Sequence, residues 1–571
     1  MNHSSCSGKQ TQVPGSSAAA SGGRASDFIR RFLGARQNPC DNLSDIVLSV
    51  AATREIERIY LEQDGFSLME KAGTAMAAEI MRLYPFRGTP FIILAGNGNN
   101  GGDGYVVGRE LIRNGYRSVL TVQTVPQKPG IAAVRARESY LAAGGILEPG
   151  NGDAADSAGI SGLIASVRGA TPGISPVIID AIAGIGVLRG RPGNPDFERM
   201  SAAVQEINGS GLEIVSLDVP SLLNADTGIP VSQGLAVRAY VTVTVFSRKP
   251  GLLLGRAGDF AGKVVTVLDS LSEFAVNARR IQHDERIFAM DSHDLKAFLP
   301  VRARCAHKGD AGRLLLVGGS TGMEGALITA GRAAVRSGAG LVRTVFLSER
   351  RDSMNAINPE IMTGIPENIA RDLAWSDAAV VGPGMGRSAR DAGIFREIYG
   401  NSRKLLVDAD GLRWLRRLCD NPALAPSGRP ETLVLTPHIG EGAMLTGRTV
   451  AEVLDDPLGT IREIAVRYGA TVVLKSAATM VSDGDYTVIL DTGSRGMASG
   501  GMGDLLSGVI GALIAGGMDP FQAAVLGVAV HGEAGILSER ADGAIGMCAG
   551  DLLPFIRRLL NGRENGLQTL L

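Results

Sequence analysis

The feature that most constrains the fold is a repeated order of short apolar runs and longer connections. Each run is rich in Val and Ile and is followed by a glycine-rich turn or by a helical pattern. Continuous apolar runs of this length are typical of parallel strands that helices cover on both faces. The chain therefore predicts an α/β fold whose ligands lie at the carboxyl ends of the strands.

The runs fall into two series that share no detectable repeat. The first contains PFIILA, SPVIIDA, LEIVSLD, YVTVTVFS and KVVTVLD, and the second contains RLLLVGG, LVRTVFLS, AAVVGPG, KLLVDAD, TLVLTPH and ATVVLKS. We therefore expect two different domains, at residues 45–275 and 291–571, with a polar linker at 276–290. Residues 1–44 begin with a stretch rich in Gly, Ser and Ala, which predicts a disordered or weakly ordered extension.

Composition argues against several classes of function. The 57 basic and 58 acidic residues nearly cancel, so no global charge attracts nucleic acid or an anionic membrane surface. The 5 cysteines are scattered and form no CxxC pair, which argues against a disulfide framework or a zinc site and fits a reducing compartment. No apolar run reaches the length that spans a bilayer. We expect a cytoplasmic protein whose partners are small molecules.

Polar residues follow three strands of the first series. The loop GNGNNGGDG joins a strand to a helical pattern, where glycine amides and a helix N-terminus can hold a phosphate or a dinucleotide. Asp180 and Asp218 each stand at the end of a further strand, in IIDAIAGIGVLRG and SLDVPSLLNADTG. A structural turn or a helix cap would explain any one of these features alone. Their occurrence together favours a binding site.

These motifs and TVTVFSRKPG resemble the NAD(P)H-hydrate epimerase family over residues 45–275. The resemblance implies a Rossmann-like three-layer sandwich that interconverts the R and S epimers of a hydrated nicotinamide ring, with Asp218 acting on the proton at the hydroxylated carbon. The hydrate would be bound by Asn99, Asn100, Gly101, Gly102, Asp103, Gly184, Ile185, Gly186, Val187, Leu188, Arg189, Gly190 and Asp218.

The same resemblance implies a potassium ion surrounded by Asn100, Asp180 and Ser221, whose oxygen atoms suit a hard cation. Two residues depart from the family's usual pattern. Leu222 replaces the glycine of DVPSG, in a turn that can require a positive φ, and Lys71 replaces an asparagine.

The strongest motif of the second series is TGSRGMASGGMGDLLSGVIGALIAGG, which places a glycine cluster before a helical pattern. Free amides and the helix dipole there can hold a transferring phosphoryl group. Asp504 stands at the helix start, where it can cap the helix. Beside an anion site, however, a carboxylate repels phosphate unless it works on a proton, which favours a catalytic base. His438 alone would suggest a structural histidine, but its place after a strand, among glycine loops, favours a site residue.

Together with HKGDAGRLLLVGGSTGMEGA, GPGMG, DADGL and LKSAATMV, this motif resembles the ADP-dependent NAD(P)H-hydrate dehydratase family over about residues 290–560. The resemblance implies a ribokinase-like domain in which Asp504 is the base. Phosphorylation of the hydroxyl on ring carbon 6 by ADP, followed by elimination, would give NAD(P)H, AMP and phosphate. The nucleotide would contact Lys475, Ser476, Ala477, Ala478, Thr479 and Gly503. The hydrate would face Ala339, Gly386, His438 and Asp504.

Both resemblances together predict a fused repair enzyme that uses potassium in its first domain and magnesium with ADP in its second. Its substrates would be NADHX, NADPHX and ADP, with no nucleic acid or membrane partner, and we expect a homo-oligomer. The alternative is a ribokinase-like small-molecule kinase fused to a non-catalytic Rossmann-like binding module, because ribokinase-like enzymes share the GxGD region. A simple nicotinamide dehydrogenase is disfavoured because the chain lacks GxGxxG with an acidic residue about 20 positions later.

Overall fold

The computed structural model contains two mostly parallel sheets covered by helices, which confirms the predicted two-domain α/β architecture. It describes residues 26, 28–29, 46–117, 119–124, 130–149, 159–186, 193–232, 234–267, 280–281, 285–290, 298–349 and 358–562. Alternate residues of one strand enter different apolar clusters: Leu314 and Leu316 pack on one face of the second sheet, Leu315 and Val317 on the other. Both faces of this sheet are therefore buried, as its continuous apolar runs predict.

The first sheet has the order β3-β2-β1-β4-β5-β6-β7, and all its neighbours pair in parallel. This is the Rossmann-like order, and it reverses between β1 and β4, so a crevice opens at their carboxyl ends. The strands are β1 (Phe91–Ala95), β2 (Val119–Gln123), β3 (Ile146–Pro149), β4 (Val177–Ala181), β5 (Ile214–Leu217), β6 (Val241–Val245) and β7 (Lys263–Val267). The helices are α1 (Val50–Leu83), α2 (Asn99–Arg113), α3 (Ile131–Ala142), α4 (Gly159–Ala170), α5 (Pro195–Gly209) and α6 (Ala257–Phe260).

The second sheet has the order β11-β10-β9-β12-β13-β14-β15-β16-β17-β8, in which only β16 pairs antiparallel with its neighbours among the strands described. Its strands are β8 (Ile287–Ala289), β9 (Arg313–Gly318), β10 (Leu341–Phe346), β11 (Met362–Gly364), β12 (Ala378–Val381), β13 (Lys404–Val407), β14 (Thr432–Leu435), β15 (Thr471–Leu474), β16 (Thr479–Ser482) and β17 (Thr487–Leu490). Its helices are α7 (Glu324–Arg336), α8 (Ile369–Trp375), α9 (Ala389–Asn401), α10 (Asp410–Asp420), α11 (Ile439–Thr446), α12 (Val450–Asp455), α13 (Pro457–Tyr468), α14 (Met502–Ala515), α15 (Pro520–Asp542) and α16 (Leu553–Leu560).

Every strand that an apolar run predicted is present, whereas β2, β3, β8, β11, β16 and β17 escaped prediction. β3 and β11 lie at sheet edges, and the exposed Ile146 shows why β3 carries no continuous apolar run. β16 and β17 form a hairpin at the other side of the second sheet. β8 lies inside the predicted linker 276–290, so that boundary was wrong: residues 287–289 pair with β17 and belong to the second sheet.

Two residues of the predicted extension pack against the second unit. Phe28 and Ile29 are buried, and the Phe28 ring lies 4.6 Å from that of Phe298 and 5.9 Å from that of Phe521. The predicted disordered or weakly ordered extension at 1–44 thus includes two residues whose apolar side chains bury against the second core. Most of that segment lies outside the described residues.

One helix is longer and more apolar than the sequence analysis allowed. α15 has 23 residues, and its most apolar window has a mean hydropathy of 1.2, which meets the length and composition of a membrane span. Within the protein, 78% of that window is buried. α15 is thus a core helix of the second unit, packed beside α14.

The contact between α14 and α7 generates a stability prediction. A Cβ atom on Gly508 would lie 2.1 Å from the Ala330 carbonyl oxygen, so Gly508→Ala must push the two helices apart. We expect a loss of about 1–3 kcal/mol of unfolding free energy, despite alanine's better helix propensity. Gly393→Ala is the matched control, since open space surrounds this helical glycine, and it should be neutral or stabilising. Urea unfolding of both variants measures the difference; equal stabilities would contradict the prediction.

Candidate functional site

The first unit encloses a cavity of about 510 Å3 between α1 and the carboxyl ends of β1, β4, β5 and β6. The structure brings many of the predicted hydrate-binding residues to its wall: Asn99, Asn100, Asp103, Gly184, Ile185, Gly186 and Asp218. Gly101 and Gly102 are buried in the first turns of α2, where a Cβ atom would strike the Gly96 carbonyl oxygen or the side chain of Met69, a cavity residue. These two glycines let α2 pack closely, and their contact with the hydrate stays a prediction. The predicted residues Val187, Leu188, Arg189 and Gly190 lie outside the described residues.

A strained turn aims Asp218 into the cavity. Its φ is +64°, and the Val219 amide donates to the Leu217 carbonyl at 2.8 Å, which closes a three-residue γ-turn of the rare positive-φ kind. Phe246, at the end of neighbouring β6, has a φ of +70° inside an equivalent turn. Such strained conformations persist only where the surrounding structure enforces them, and they concentrate at functional sites.

A buried lysine holds Asp218 in place. Lys249 is 1% exposed, and its Nζ donates to Asp218 Oδ1 at 2.6 Å, to Thr244 Oγ1 at 2.8 Å and to the Val245 carbonyl at 2.9 Å. Its three ammonium protons are therefore all used. The ion pair places a positive charge beside the Asp218 carboxyl group inside a partly enclosed cavity.

Two further carboxyl groups line the same cavity. Burial, and then the charge of Asp218, raise the pKa of Glu57 to about 7, although Lys249 and Arg54 oppose the shift. The pKa of Asp103 is raised well above its usual value by burial and by the charges of Asp218 and Glu57. Three carboxyl groups thus share this space, and at neutral pH they do not all carry a charge.

The predicted potassium ligands lie around the turn that follows β4. Asp180 is fully buried and accepts from Ser216 Oγ at 2.8 Å, from Ser221 Oγ at 2.5 Å and from the Ser221 amide at 2.9 Å. Burial raises the pKa of Asp180, and these hydrogen bonds oppose that shift. Both polar side-chain atoms of Asn100 are buried without a hydrogen-bond partner.

These donors fit a potassium ion. A Cβ atom on Gly184 would lie 3.5 Å from the Asn100 side chain, and the preceding Ala183 amide donates to Ser221 Oγ at 2.9 Å. The unsatisfied Asn100 amide, the Ser221 hydroxyl and the buried Asp180 carboxylate therefore surround one short turn. Oxygen donors with a single negative charge suit a monovalent hard cation.

Leu222, which stands where the family usually has glycine, keeps the conformation that glycine would adopt. Its φ is +68° and its side chain is fully buried in the apolar cluster beneath the turn. A left-handed conformation costs about 1–2 kcal/mol for a residue with a Cβ atom, and full burial of a leucine contributes about as much. The turn at Ser221 is thus retained despite the substitution.

In the second unit, the glycine cluster leads into α14 as predicted. Gly501 caps the helix with a φ of +89°, and no side chain caps its first turn. Asp504 lies in that turn, and no described residue forms a hydrogen bond with its carboxylate. Burial, and then the charge of Asp408, raise the pKa of Asp504 to about 6, with Lys475 opposing and Glu441 adding to the shift.

A second lysine–aspartate pair lies beside Asp504. Lys475 Nζ donates to Asp408 Oδ1 at 2.9 Å, and Ser507 Oγ donates to Asp408 Oδ2 at 2.6 Å. Burial lowers the pKa of Lys475, but the charges of Asp408, Glu441 and Asp504 outweigh it, so the net shift is upward. A Cβ atom on Gly503 would lie 3.2 Å from Lys475 Nζ, which explains why this position has no side chain.

The predicted nucleotide segment connects β15 to β16. Lys475 begins it, Ser476 and Ala477 are exposed, and Ala478 is buried. Ser476 Oγ donates to the Ala478 carbonyl at 2.5 Å and Thr479 Oγ1 to the Ser476 carbonyl at 3.3 Å, so the turn is internally braced. Gly503 lies next to this turn, because Lys475, its first residue, places Nζ 3.2 Å from the position of a Cβ atom on Gly503.

His438 has a structural role in addition to its place beside the site. It caps α11: its Nδ1 accepts from the Gly440 and Glu441 amides at 3.0 and 3.2 Å, and Glu441 accepts from the His438 amide. A backbone bridge places His438 next to Lys475. The ring remains more than half exposed.

Gly386 lies at the same carboxyl-end edge of the second sheet, where hydrogen bonds join the loops that follow neighbouring strands. Its φ is +92°, its amide donates to Asp410 Oδ2 at 3.1 Å, and its carbonyl accepts from Trp414 Nε1 at 3.2 Å. Ala409 has a φ of +50°, which lets Asp408 bind Lys475 while Asp410 binds Gly386. Ser320, after β9, donates through its hydroxyl to the Met385 carbonyl.

Ala339 was predicted to face the hydrate, and the structure contradicts this. The next residue, Gly340, donates to the Gly312 carbonyl at 3.0 Å, and a Cβ atom on Gly312 would strike the Ala515 carbonyl at the far end of α14. Eleven residues of helix separate Ala515 from Asp504, or about 16 Å. The physical reason is chain direction: Ala339 precedes its strand, whereas the other site residues follow theirs.

Four site residues were not singled out from the sequence: Glu57, Lys249, Asp408 and Glu441. Lys249 and Asp408 lie in quoted motifs, and Asp408 carries a signal because it is a charged residue directly after a buried strand. Glu57 gave no such signal, because α1 is amphipathic and an acidic residue on it resembles a solvated face. Among the described residues, no group of three His, Cys, Asp or Glu side chains is placed to hold a metal ion.

Comparison with known proteins matches both units. A family model described as NAD(P)H-hydrate dehydratase matches residues 314–558, and one described as YjeF-related protein N-terminus matches residues 65–251. The bifunctional NAD(P)H-hydrate repair enzyme Nnr of Escherichia coli (strain K12) is 35% identical over 499 residues, which cover 87% of this chain and 90% of that protein. Its namesake from Vibrio cholerae is 35% identical, with 87% and 94% covered, and that from Coxiella burnetii is 33% identical, with 89% and 98% covered. The chain belongs to the family of bifunctional NAD(P)H-hydrate repair enzymes.

Proposed function

We propose that the protein epimerises R- and S-NAD(P)HX in its first unit and dehydrates S-NAD(P)HX in its second, with conversion of ADP to AMP and phosphate. The observation that carries this proposal is the Asp504 carboxylate, which stands without a hydrogen bond from any described residue at a helix N-terminus beside Lys475. Relatives named as bifunctional repair enzymes cover both units, which disfavours a kinase fused to a binding module.

Asp504 acts as the base of the dehydration. It takes the proton of the hydroxyl on ring carbon 6 while that oxygen attacks the terminal phosphorus of ADP, and AMP leaves. Loss of phosphate from carbon 6 and of a proton from carbon 5 then restores the ring double bond. The amides at the start of α14 and the Lys475 ammonium stabilise the transferring phosphoryl group, and Gly503 leaves room for the nucleotide to approach.

Magnesium would enter with the nucleotide, because this ion keeps several waters and binds substrate phosphates with one or two carboxylates. Glu441, a carboxylate near Lys475, could help to hold it. The nucleotide itself would contact the braced turn from Lys475 to Thr479. Gly386 and His438 would face the hydrate from the neighbouring strand ends.

In the first unit, Asp218 acts at the hydroxylated carbon, and the other cavity residues bind the hydrate. A potassium ion held by Asn100, Asp180 and Ser221 would offset the buried charge of Asp180 and fix the turn that carries Gly184. We further propose that the enzyme works in the cytoplasm as a homo-oligomer.

Incubation of the whole protein with mixed NADHX epimers and ADP, followed at 340 nm, tests the central proposal; no recovery of NADH absorbance would refute it.

Asp504→Asn keeps the size of the side chain and removes the base. We expect NADH formation from the S epimer to fall by about 10²–10⁴-fold, while R/S interconversion is unchanged. Asp519→Asn, which alters the cap of α15, is the matched control and should dehydrate normally. An Asp504→Asn variant with wild-type dehydration would remove Asp504 from the mechanism.

The pKa of Asp504, raised to about 6, predicts a pH dependence of dehydration. The base must be deprotonated, so kcat/KM for the S epimer should fall about tenfold per pH unit below about pH 6 and level off above it. Glu441→Gln removes a neighbouring charge that raises this pKa and can retain the capping box of α11, so it should move the acidic limb to lower pH. A limb that stays in place, measured by initial rates at 340 nm, would assign it to another group.

Asp218→Asn should confine repair to the S epimer. Amide replacement removes the charge that Lys249 holds, and we expect conversion of R to S to fall by at least about 100-fold. The measurement is consumption of pure R and pure S hydrate by the same preparation with ADP. Fast consumption of the R epimer would show that Asp218 is dispensable.

A further inference from the structure

Two carboxyl groups of the cavity, those of Glu57 and Asp103, have no hydrogen-bond or ion-pair partner among the described residues, and Glu57 is the one that lies on α1. Asp218 is bound by Lys249, whose ammonium protons are all used. Arg54 is exposed and directs its guanidinium to the Ile185 carbonyl at 3.4 Å. No residue in the described part of the chain forms a hydrogen bond or an ion pair with Glu57, which lies on α1 at the cavity wall.

Glu57 and Asp218 reach the cavity from different walls. Glu57 belongs to the wall formed by α1, together with Thr53 and Met69. Asp218 belongs to the wall formed by the strand ends. A flat ring bound between α1 and the strand ends would contact both carboxyl groups.

The chemistry of the hydrate calls for two such groups. Ring carbon 6 bears a hydroxyl and is bonded to the ring nitrogen, and no carbonyl is adjacent to stabilise a carbanion. Removal of its hydrogen as a proton is therefore unfavourable, whereas the nitrogen lone pair can expel the hydroxyl. Departure needs an acid on one face, and addition of water to the other face needs a base.

We propose that Glu57 is the second catalytic carboxyl group of the epimerase site, which protonates the departing hydroxyl while Asp218 takes a proton from the incoming water. This inference rests on the proposed epimerase function. The bond between carbon 6 and oxygen breaks with its electron pair on oxygen, and the Glu57 proton completes a water molecule. The nitrogen lone pair forms a carbon–nitrogen double bond, which water then attacks from the opposite face as its proton passes to Asp218. Atoms and charge balance, and the reverse reaction exchanges the two roles.

The charged groups around Glu57 and Asp218 suit the assignment of Glu57 as the acid and Asp218 as the base. Lys249 Nζ lies 2.6 Å from Asp218 Oδ1, and a positive charge beside a carboxyl group suits the role of base. Burial and the charge of Asp218 raise the pKa of Glu57 to about 7, so at neutral pH Glu57 still carries a proton to donate. Asp103 and Arg54 are the other charged groups that act on it. Two carboxyl groups held in different protonation states by their surroundings are a recurring acid–base arrangement.

The first test compares Glu57→Gln with Glu55→Gln in the full chain. Glu55 is exposed on the same helix and pairs with Arg58, so its replacement is a matched control. We expect Glu57→Gln to lower conversion of R to S by about 100-fold and to leave dehydration of S within twofold of wild type. Glu57→Asp should restore part of the rate. Conversion of R by Glu57→Gln at the wild-type rate would overturn the proposal.

The second test needs no variant and therefore does not depend on how a variant folds. Wild-type protein is incubated with R hydrate without ADP, once in water enriched in oxygen-18 and once in deuterium oxide, and a protein-free reaction supplies the background. The proposal predicts oxygen-18 in the hydroxyl of the S product and no deuterium at carbon 6. Deuterium at carbon 6 with retention of the original oxygen would overturn it. If wild type forms no S product above background, the proposed epimerase function itself fails.

Discussion

Both sites depend on the same interaction, a buried lysine paired with an aspartate at the carboxyl end of a parallel strand. Lys249 holds Asp218 at 2.6 Å in the first unit, and Lys475 holds Asp408 at 2.9 Å in the second. In each unit burial, and then the charge of the paired aspartate, raise the pKa of a neighbouring carboxyl group. The difference lies in which member reacts. Asp218 is itself proposed to act on substrate, whereas Asp408 anchors Lys475 and leaves Asp504 free of hydrogen bonds from the described residues.

These pairs require backbone conformations that ordinary strand ends do not provide. Asp218 and Phe246 adopt positive φ angles within three-residue turns, and Ala409 has a φ of +50° between two aspartates that point to different partners. Such conformations cost about 1–3 kcal/mol each, so the buried strands on either side must hold them. The continuous apolar runs that define the fold thus also supply the rigidity that positions the carboxylates.

The same runs explain how much could be predicted from the sequence. Each of the eleven apolar runs became a strand, and the strand-end and helix-start motifs singled out Asp180, Asp218, His438, Asp504 and the nucleotide turn as candidates. β2, β8, β16 and β17 were missed although their side chains enter apolar clusters on both faces. Edge strands such as β3 were missed because one side is exposed and its apolar pattern is broken. Ala339 was misplaced because a small residue between a helix and a strand carries no sign of the sheet edge on which it lies. Glu57 was missed because only the assembled cavity separates it from the exposed Glu55 two residues earlier.

The two units are not only joined in one chain but also contact each other close to the first site. Residues 46–49 lie between them: Leu48 donates to the Arg248 carbonyl at 3.1 Å, Ile46 bridges to Phe288 of β8, and the Ser49 amide donates to Glu285 at 3.0 Å. Leu253 and Leu254 bury their side chains in the apolar cluster of the second sheet. Lys249 lies in the short segment between Arg248 and Leu253, so the peptide that carries it is braced at both ends by the contact between the units. The second unit therefore helps to fix the ammonium group on which the proton distribution of the first site depends.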